Sequence, residues 1–303
     1  LIDYKEKDIP CKSFYPQLPV YSDTFKAPHN VIQSDSTAKV TIVADIDREG
    51  SAIDSMVTYM EDRFQQVTLF NIRNIKMGHC VGCLKCGFDG ECMYEGKDDF
   101  IGVHRKMIEE SDIIIFALHM KDRYMSHYWQ RYMERGFYRN HQPIYKGKQI
   151  VYMISGPLSY NGNAKEILTA YVEVGGGNLV GFVTDESQNS QEICKRMDAL
   201  ADGALRNVNK NIMKPMSFLG VGGMKIFRDD IYSGLKFVFQ KDYAYYKKHK
   251  LFDFPQNKPF FNFKINMLTL LTKIGPIRRM IQNTITDKML DPYQPVLKKV
   301  KQV

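Results

Sequence analysis

The stretch KVTIVAD, residues Lys39–Asp45, is a short apolar run rich in β-branched residues, which is typical of a buried strand. Gly50–Phe64 follows with apolar residues at helical spacing, and Gln66–Ile72 is a second strand candidate. The most apolar run is Asp112–Leu118 (DIIIFAL), a further strand candidate. Apolar strands that alternate with helices indicate a parallel sheet with helices on both faces.

The same alternation continues to about residue 214. Further helices are predicted at Asp98–Glu110, Ser126–Arg135, Ala164–Val174 and Ser190–Asn207, and further strands at Lys148–Ser155 and Asn178–Thr184. Five such units predict an α/β fold with a doubly wound, five-stranded parallel sheet in the flavodoxin-like order, which binds ligands beyond the carboxyl ends of its strands. We therefore expect a flavodoxin-like domain over 38–214, an extended arm or linker over 1–37, and a C-terminal extension over 215–303.

Four of the six cysteines fall within thirteen residues, with the spacing C-x2-C-x2-C-x5-C. They are Cys80, Cys83, Cys86 and Cys92, and they follow the second predicted strand. Clustered cysteines are typical of a reducing compartment, so we expect a metal site in a cytoplasmic protein. Thiolates suit iron–sulfur clusters or zinc, and three consecutive x2 spacings favour an iron–sulfur cluster over zinc, which usually takes two separated pairs. A metal-free cysteine loop remains the third alternative.

The cysteine loop and its neighbours resemble a known family. The motif Cys80-x-Gly82-Cys83-x-x-Cys86, continued by Cys92 and then by Asp98-Asp99 at the start of a helix, is similar to the iron–sulfur flavoproteins and to the related NAD(P)H-dependent FMN reductases. Both belong to the flavodoxin-like superfamily. Met125-Ser126 followed by Glu134-Arg135 matches the spacing of the family's next helix, and the resemblance extends over roughly residues 38–255.

The resemblance implies an oxidoreductase or electron-transfer protein that uses FMN and a 4Fe-4S cluster, with NAD(P)H or another electron donor and an unknown redox partner. It also implies a homo-oligomer. The four cysteines of the motif would bind the cluster. The candidate cofactor-binding residues lie in the loops after the first, third and fourth strands: Arg48, Gly50, Ser51, His119, Tyr124, Ser126, Ser155 and Gly156.

The chain departs from the family pattern at the predicted flavin site. The first loop carries three carboxylates, Asp45, Asp47 and Glu49, which would repel a phosphate. His119 and Lys121 take the places of the family's usual Pro and aromatic residue. Either FMN binds in a modified way, or this is a flavin-free binding module with a zinc or empty cysteine site.

The basic residues concentrate at the C-terminus. The chain has a net charge of +8, and the segment from Lys247 contains twelve Lys or Arg against three Asp or Glu. Apolar residues recur at helical spacing from Met267 to Ile285, interrupted by Gly275-Pro276, which predicts two short helices. Residues 264–303 can therefore pack on the domain or contact an acidic partner or a membrane surface. We recognise no nucleic-acid-binding module and expect no nucleic-acid partner.

Overall fold

The computed structural model describes residues 25–28, 31–121, 123–139, 141–253 and 259–296, so most of the predicted arm lies outside the described residues. Five strands form one sheet: β1 Lys39–Ala44, β2 Gln66–Asn71, β3 Ile113–His119, β4 Gln149–Ser155 and β5 Asn178–Thr184. Their spatial order is β2-β1-β3-β4-β5 and every pairing is parallel. This order is the flavodoxin-like one, so the predicted fold class is confirmed.

Helices connect the strands and cover both faces of the sheet. In chain order they are α1 Ala52–Arg63, α2 Lys85–Asp89, α3 Phe100–Glu110, α4 His127–Gly136, α5 Gly162–Val174, α6 Ser190–Asn209, α7 Phe218–Tyr232, α8 Gln240–Lys248, α9 Pro259–Leu271 and α10 Gly275–Leu290. The short helix α2 lies inside the cysteine loop, between β2 and α3. The helices predicted between the strands agree with the observed ones to within about two residues, which is the usual uncertainty of helix ends.

Two apolar cores hold the sheet, one on each face. Alternating residues of β1 separate into them: Ile42 packs with the core that contains α1 and α6, and Val43 with the core that contains α3, α4 and α5. Strands β3 and β4 are buried along almost their whole length because helices cover them on both sides. Phe25, in the described part of the predicted arm, is also buried in the first core.

The C-terminal extension packs on the domain as helices α7 to α10. Helices α7 and α8 were not predicted, because their apolar residues show no clear period. They form a small core of their own, which includes Ile231, Val238, Phe239 and Tyr246. Helix α10 begins at Gly275 with Pro276 in its first turn, as the predicted interruption requires. Over the part of the chain that the structure describes, every helix is too short or too polar to cross a membrane.

Candidate functional site

The cysteine loop forms a cavity beside the C-terminal end of α4. Cys80, Cys83, Cys86 and Cys92 all line it, together with side chains from α4 and the turn after it. Its empty volume is about 420 Å³, including the part open to solvent. Cys80 is exposed, the other three are partly buried, and none of the four is in a disulfide. The structure therefore brings the four predicted ligands to one place as free thiols.

Backbone geometry folds the loop around this cavity. Leu84, Gly82 and Gly90 all have a positive φ, which turns the chain sharply on both sides of α2. Gly87 lies inside α2 against the C-terminal extension, where an added Cβ would come within 2.6 Å of the Val238 carbonyl oxygen. A larger residue at position 87 would push the cysteine helix away from α8.

Arg135 joins helix α4 to the cysteine loop. Its guanidinium pairs with the buried carboxylate of Asp98 at 2.5 Å and donates to the Gly78 carbonyl oxygen at 3.0 Å. A further N–H of Arg135 lies 3.7 Å from the sulfur of Cys92. The guanidinium carbon of Arg135 lies over the Tyr94 ring, 4.4 Å from the centroid of that ring. Arg135 therefore places a positive charge and an N–H donor beside the sulfur of Cys92.

The four sulfurs do not converge on a single point. In the described ranges, no three His, Cys, Asp or Glu side chains lie close enough together to hold one metal ion. A single zinc ion binds each sulfur at about 2.3 Å, so it requires such convergence. An iron–sulfur cluster spreads its ligands over several irons. Burial, and then the neighbouring Cys83, raise the pKa of Cys86 to about 12, so its thiol is protonated unless a metal displaces the proton.

In the loop after β1, the predicted phosphate site is closed by the chain's own carboxylate. The Gly50 N–H donates to Asp54 Oδ2 at 2.8 Å, and the Asp54 N–H donates to Ser51 Oγ at 3.4 Å. Ser51 is the N-cap of α1, and the Asp54 carboxylate binds the amide of the residue before it. Arg48 is exposed in the same loop. Asp54 thus occupies the place at the helix start where an anion would bind.

Two acidic residues of this loop, Asp45 and Asp47, are paired with nearby cations. Asp45, buried at the end of β1, binds Arg73 at 2.6 Å. Asp47 accepts a bond from Lys121 at 3.1 Å and lies 3.4 Å from His119 Nδ1. His119 therefore faces Asp47. Two of the three carboxylates predicted to repel a phosphate, Asp45 and Asp47, are thus balanced by cations of the protein, and Glu49 is exposed.

The loop after β4 is held by an aspartate at the end of β5. Ser155 Oγ donates to one oxygen of Asp185 at 2.7 Å, and the Gly156 N–H donates to the other at 3.0 Å. Gly156 has φ +133 and lies against the Met120 carbonyl oxygen, where a Cβ would clash at 2.1 Å. In the loop after β3, Ser126 caps helix α4, and burial raises the pKa of the half-buried Tyr124. The structure thus brings the predicted flavin-contact loops to one edge, with many polar groups already bonded.

Sequence reasoning missed three residues of this region. Asp54 and Asp185 hold the two loops predicted to contact FMN, and Asp98 holds Arg135. The Ser51-x-x-Asp54 spacing could have revealed the first, because it is a capping-box pattern. Asp98 and Arg135 had been noted only as parts of the family resemblance, and no local pattern pairs residues so far apart along the chain.

Comparisons with known proteins agree with this fold. No protein-family model matches the chain. An iron-sulfur flavoprotein from Archaeoglobus fulgidus is 26% identical over 153 residues, which are 49% of this chain and 68% of that protein. Among solved structures, RosB with a bound riboflavin phosphate derivative has a TM-score of 0.43 at 11% identity, covering 63% of this chain and 87% of its own. An FMN-dependent NADH-azoreductase from Bacillus anthracis, in complex with FMN, has a TM-score of 0.38 at 10% identity, covering 56% and 99%.

The strand order by itself defines a flavodoxin-like α/β protein. The fold assignment depends on this order and not on the solved structures, whose TM-scores are low. Within this class the chain is similar to one iron–sulfur flavoprotein over about half of its length, so the resemblance predicted from the sequence is confirmed at that level.

Proposed function

We propose that this chain is an electron-transfer oxidoreductase that holds a 4Fe-4S cluster on Cys80, Cys83, Cys86 and Cys92, with FMN as a second redox group and NAD(P)H or another compound as electron donor. The observation that carries the proposal is that four free cysteines of a flavodoxin-like domain line one cavity. The name of the relative from Archaeoglobus fulgidus, an iron-sulfur flavoprotein, supports both groups. A homo-oligomer remains a prediction.

The cavity fits a cluster by the chemistry of its ligands. Four cysteines line it, and soft thiolate ligands are the ones that hold iron–sulfur clusters. A bound cluster would supply one-electron transfer. The protein's own part is to tune it: Arg135 places a positive charge and an N–H at Cys92, and Gln282 donates to the Cys83 carbonyl oxygen at 2.9 Å.

The loop after β1 does not fit a phosphate in the arrangement described above. Its Gly50 amide already binds Asp54, and a phosphate would have to displace that carboxylate. The Gly156 amide and the Ser155 hydroxyl are bound to Asp185 in the same way. We therefore assign no step to FMN, whose place in the proposal is supported by the relative rather than by this loop.

This observation favours a second candidate function. A flavodoxin-like domain that has lost flavin would act as a binding module, with the cysteine loop holding zinc or no metal. Asp54 at the start of α1 is the specific reason to consider it, because an internal carboxylate there makes the helix end independent of a bound anion.

One anaerobic preparation tests both candidates. We expect a brown protein with about four irons and four acid-labile sulfides per chain, and with flavin released on denaturation. Zinc without flavin would support the binding module. A colourless preparation that lacks iron would contradict the cluster.

Single serine substitutions assign the ligands. Replacing any of Cys80, Cys83, Cys86 or Cys92 by Ser should reduce the bound iron severalfold, because a cluster loses one of its four ligands. The matched control is Cys194→Ser, since Cys194 is a free, buried cysteine of α6 that lies outside the cavity. If all five variants keep the same iron content, the proposed ligand set is wrong.

A further inference from the structure

Helix α9 contacts the rest of the protein partly through polar side chains. Asn266 accepts a hydrogen bond from Lys236 at 2.7 Å, and Thr272, just after the helix, accepts one from Gln240 at 2.7 Å. Asn262 and Asn266 line a small cavity against α7 and α8. The side of α9 that packs on the protein is therefore mixed: the partly buried Asn262 and Thr269 and the buried Thr272 lie there beside the partly buried Ile265 and Leu268.

The opposite face of α9 is apolar and exposed. Its side chains are between 42% and 71% exposed, and no residue of the helix is buried. We call this the outer apolar face; it consists of Phe260, Phe263, Met267, Leu270, Leu271 and Ile274. Positions 260, 263, 267 and 270 follow the spacing of a single helical stripe, and Ile274 lies just after the end of the helix. A helix in contact with water normally has the reverse arrangement.

Basic side chains border this face, and acidic ones are absent from its sequence. Lys264, Lys273 and Arg279 are exposed, and Lys264 Nζ lies 4.6 Å from the centroid of the Phe260 ring. From Pro255 to Thr286 the chain contains five Lys or Arg and no Asp or Glu. The occupant of the outer apolar face must therefore combine an apolar layer with negative charge.

We propose that the outer apolar face of α9 docks on an anionic lipid surface, with the helix lying in the plane of the interface. Aromatic and aliphatic side chains beside Lys and Arg are the composition that such interfacial helices share. A second copy of the chain is a poorer occupant, because the same basic border would then meet itself and repel. This proposal does not depend on the cofactor content of the protein.

The docking surface is joined directly to the cysteine loop. Helix α10, which follows α9 after three residues, contacts Asp89 through Arg278 at 2.6 Å and the Cys83 carbonyl oxygen through Gln282 at 2.9 Å. A chain docked through α9 therefore holds the cysteine cavity beside the segment that contacts the lipid.

Co-sedimentation of the 303-residue chain with lipid vesicles tests the proposal. The vesicles contain phosphatidylcholine alone, or phosphatidylcholine with roughly one third phosphatidylglycerol. We expect binding to the anionic vesicles that is weakened by high salt, and at least about tenfold weaker binding for Phe263→Gln/Leu270→Gln and for Lys264→Glu/Lys273→Glu. The control is Phe218→Gln, because Phe218 is an 87% exposed phenylalanine on α7 outside this face. Circular dichroism checks that every variant is folded.

Three results would overturn the proposal. The first is no sedimentation of the wild-type chain with either vesicle. The second is an equal loss of binding in Phe218→Gln. The third is a wild-type dimer, seen by light scattering, that ignores vesicles and becomes monomeric in Phe263→Gln/Leu270→Gln; the outer apolar face would then be a contact between copies.

Discussion

Arg135 is the residue on which the geometry of the candidate site most depends. It connects three parts of the chain: its own helix α4, the segment that carries Gly78 and Cys92, and Asp98 just before α3. Arginine suits this place because its planar guanidinium can bind a carboxylate with two N–H groups and leave others for further acceptors. Lysine could not make all of these contacts.

Arg135→Gln should lower the free energy of unfolding by about 3–5 kcal/mol, because it leaves a buried carboxylate without its cation. The side chains of Arg135 and Asp98 are only 1% and 4% exposed. Guanidinium chloride unfolding measures the loss.

Arg105→Gln is the matched control for this substitution. Arg105 pairs with Glu95, but the two side chains are 45% and 39% exposed, so the loss should be at most about 1 kcal/mol. Equal losses in the two arginine variants would show that the pair with Asp98 does not stabilise the fold beyond an ordinary surface contact.

At the scale of elements, the cysteine helix α2 is held between the domain and the C-terminal extension. Arg278 of α10 binds Asp89 with two hydrogen bonds, of 3.0 and 2.6 Å, and its guanidinium lies 4.4 Å from the centroid of the Phe88 ring. Gly87 lets α2 approach the turn before α8. A five-residue helix has little stability of its own, so these contacts keep it folded.

Arg278→Gln should speed hydrogen exchange of the α2 and α10 amides by up to about fivefold, which corresponds to about 1 kcal/mol for a partly exposed ion pair. Mass spectrometry of exchanged peptides measures it. Arg279→Gln, a neighbouring exposed arginine, is the control and should leave exchange unchanged. Identical exchange in both variants and the wild type would contradict a docking role for Arg278.

The same contact has a defined pH dependence. The hydrogen bond from Arg278 lowers the pKa of Asp89 below its usual value of 3.8. Because the pKa of Asp89 is lower in the folded state than in the unfolded state, the contact stabilises the protein at pH values above the unfolded-state pKa. This contribution is lost as the pH falls through the lowered pKa.

At the scale of the whole molecule, the two cores on the faces of the sheet are buried, and a buried histidine lies in one of them. His104 is fully buried on α3, stacked on Phe100 at 5.2 Å, with Nδ1 3.1 Å from the Tyr138 hydroxyl. Its Nε2 has no hydrogen-bond partner among the described residues. Burial, with a smaller effect of Arg139, lowers the pKa of His104 to about 3.

The stability of the whole chain should therefore fall as the pH decreases below about 6.5, because the unfolded state takes up a proton that the buried His104 cannot accept. The midpoint of urea unfolding, measured between pH 7 and pH 5, should shift less in His104→Phe than in the wild type. Phenylalanine keeps the stacking and does not titrate. Parallel pH profiles for the two proteins would show that His104 does not control this dependence.

The amino-acid sequence by itself determined the strands and most helices of the domain, the fold class and the place of the cysteine loop. These features depend on local patterns: apolar periodicity, chain order and the short spacing of the cysteines. Helices α7 and α8 lack such a pattern, so they were missed.

Only the tertiary structure decided which groups meet. It pairs Arg135 with Asp98, which lies 37 residues away, and Arg278 with Asp89, which lies 189 residues away. It also bonds the Gly156 amide to Asp185, and it turns the apolar side of α9 outward. Contacts between distant residues depend on how whole elements pack, and a local sequence pattern contains no information about that packing.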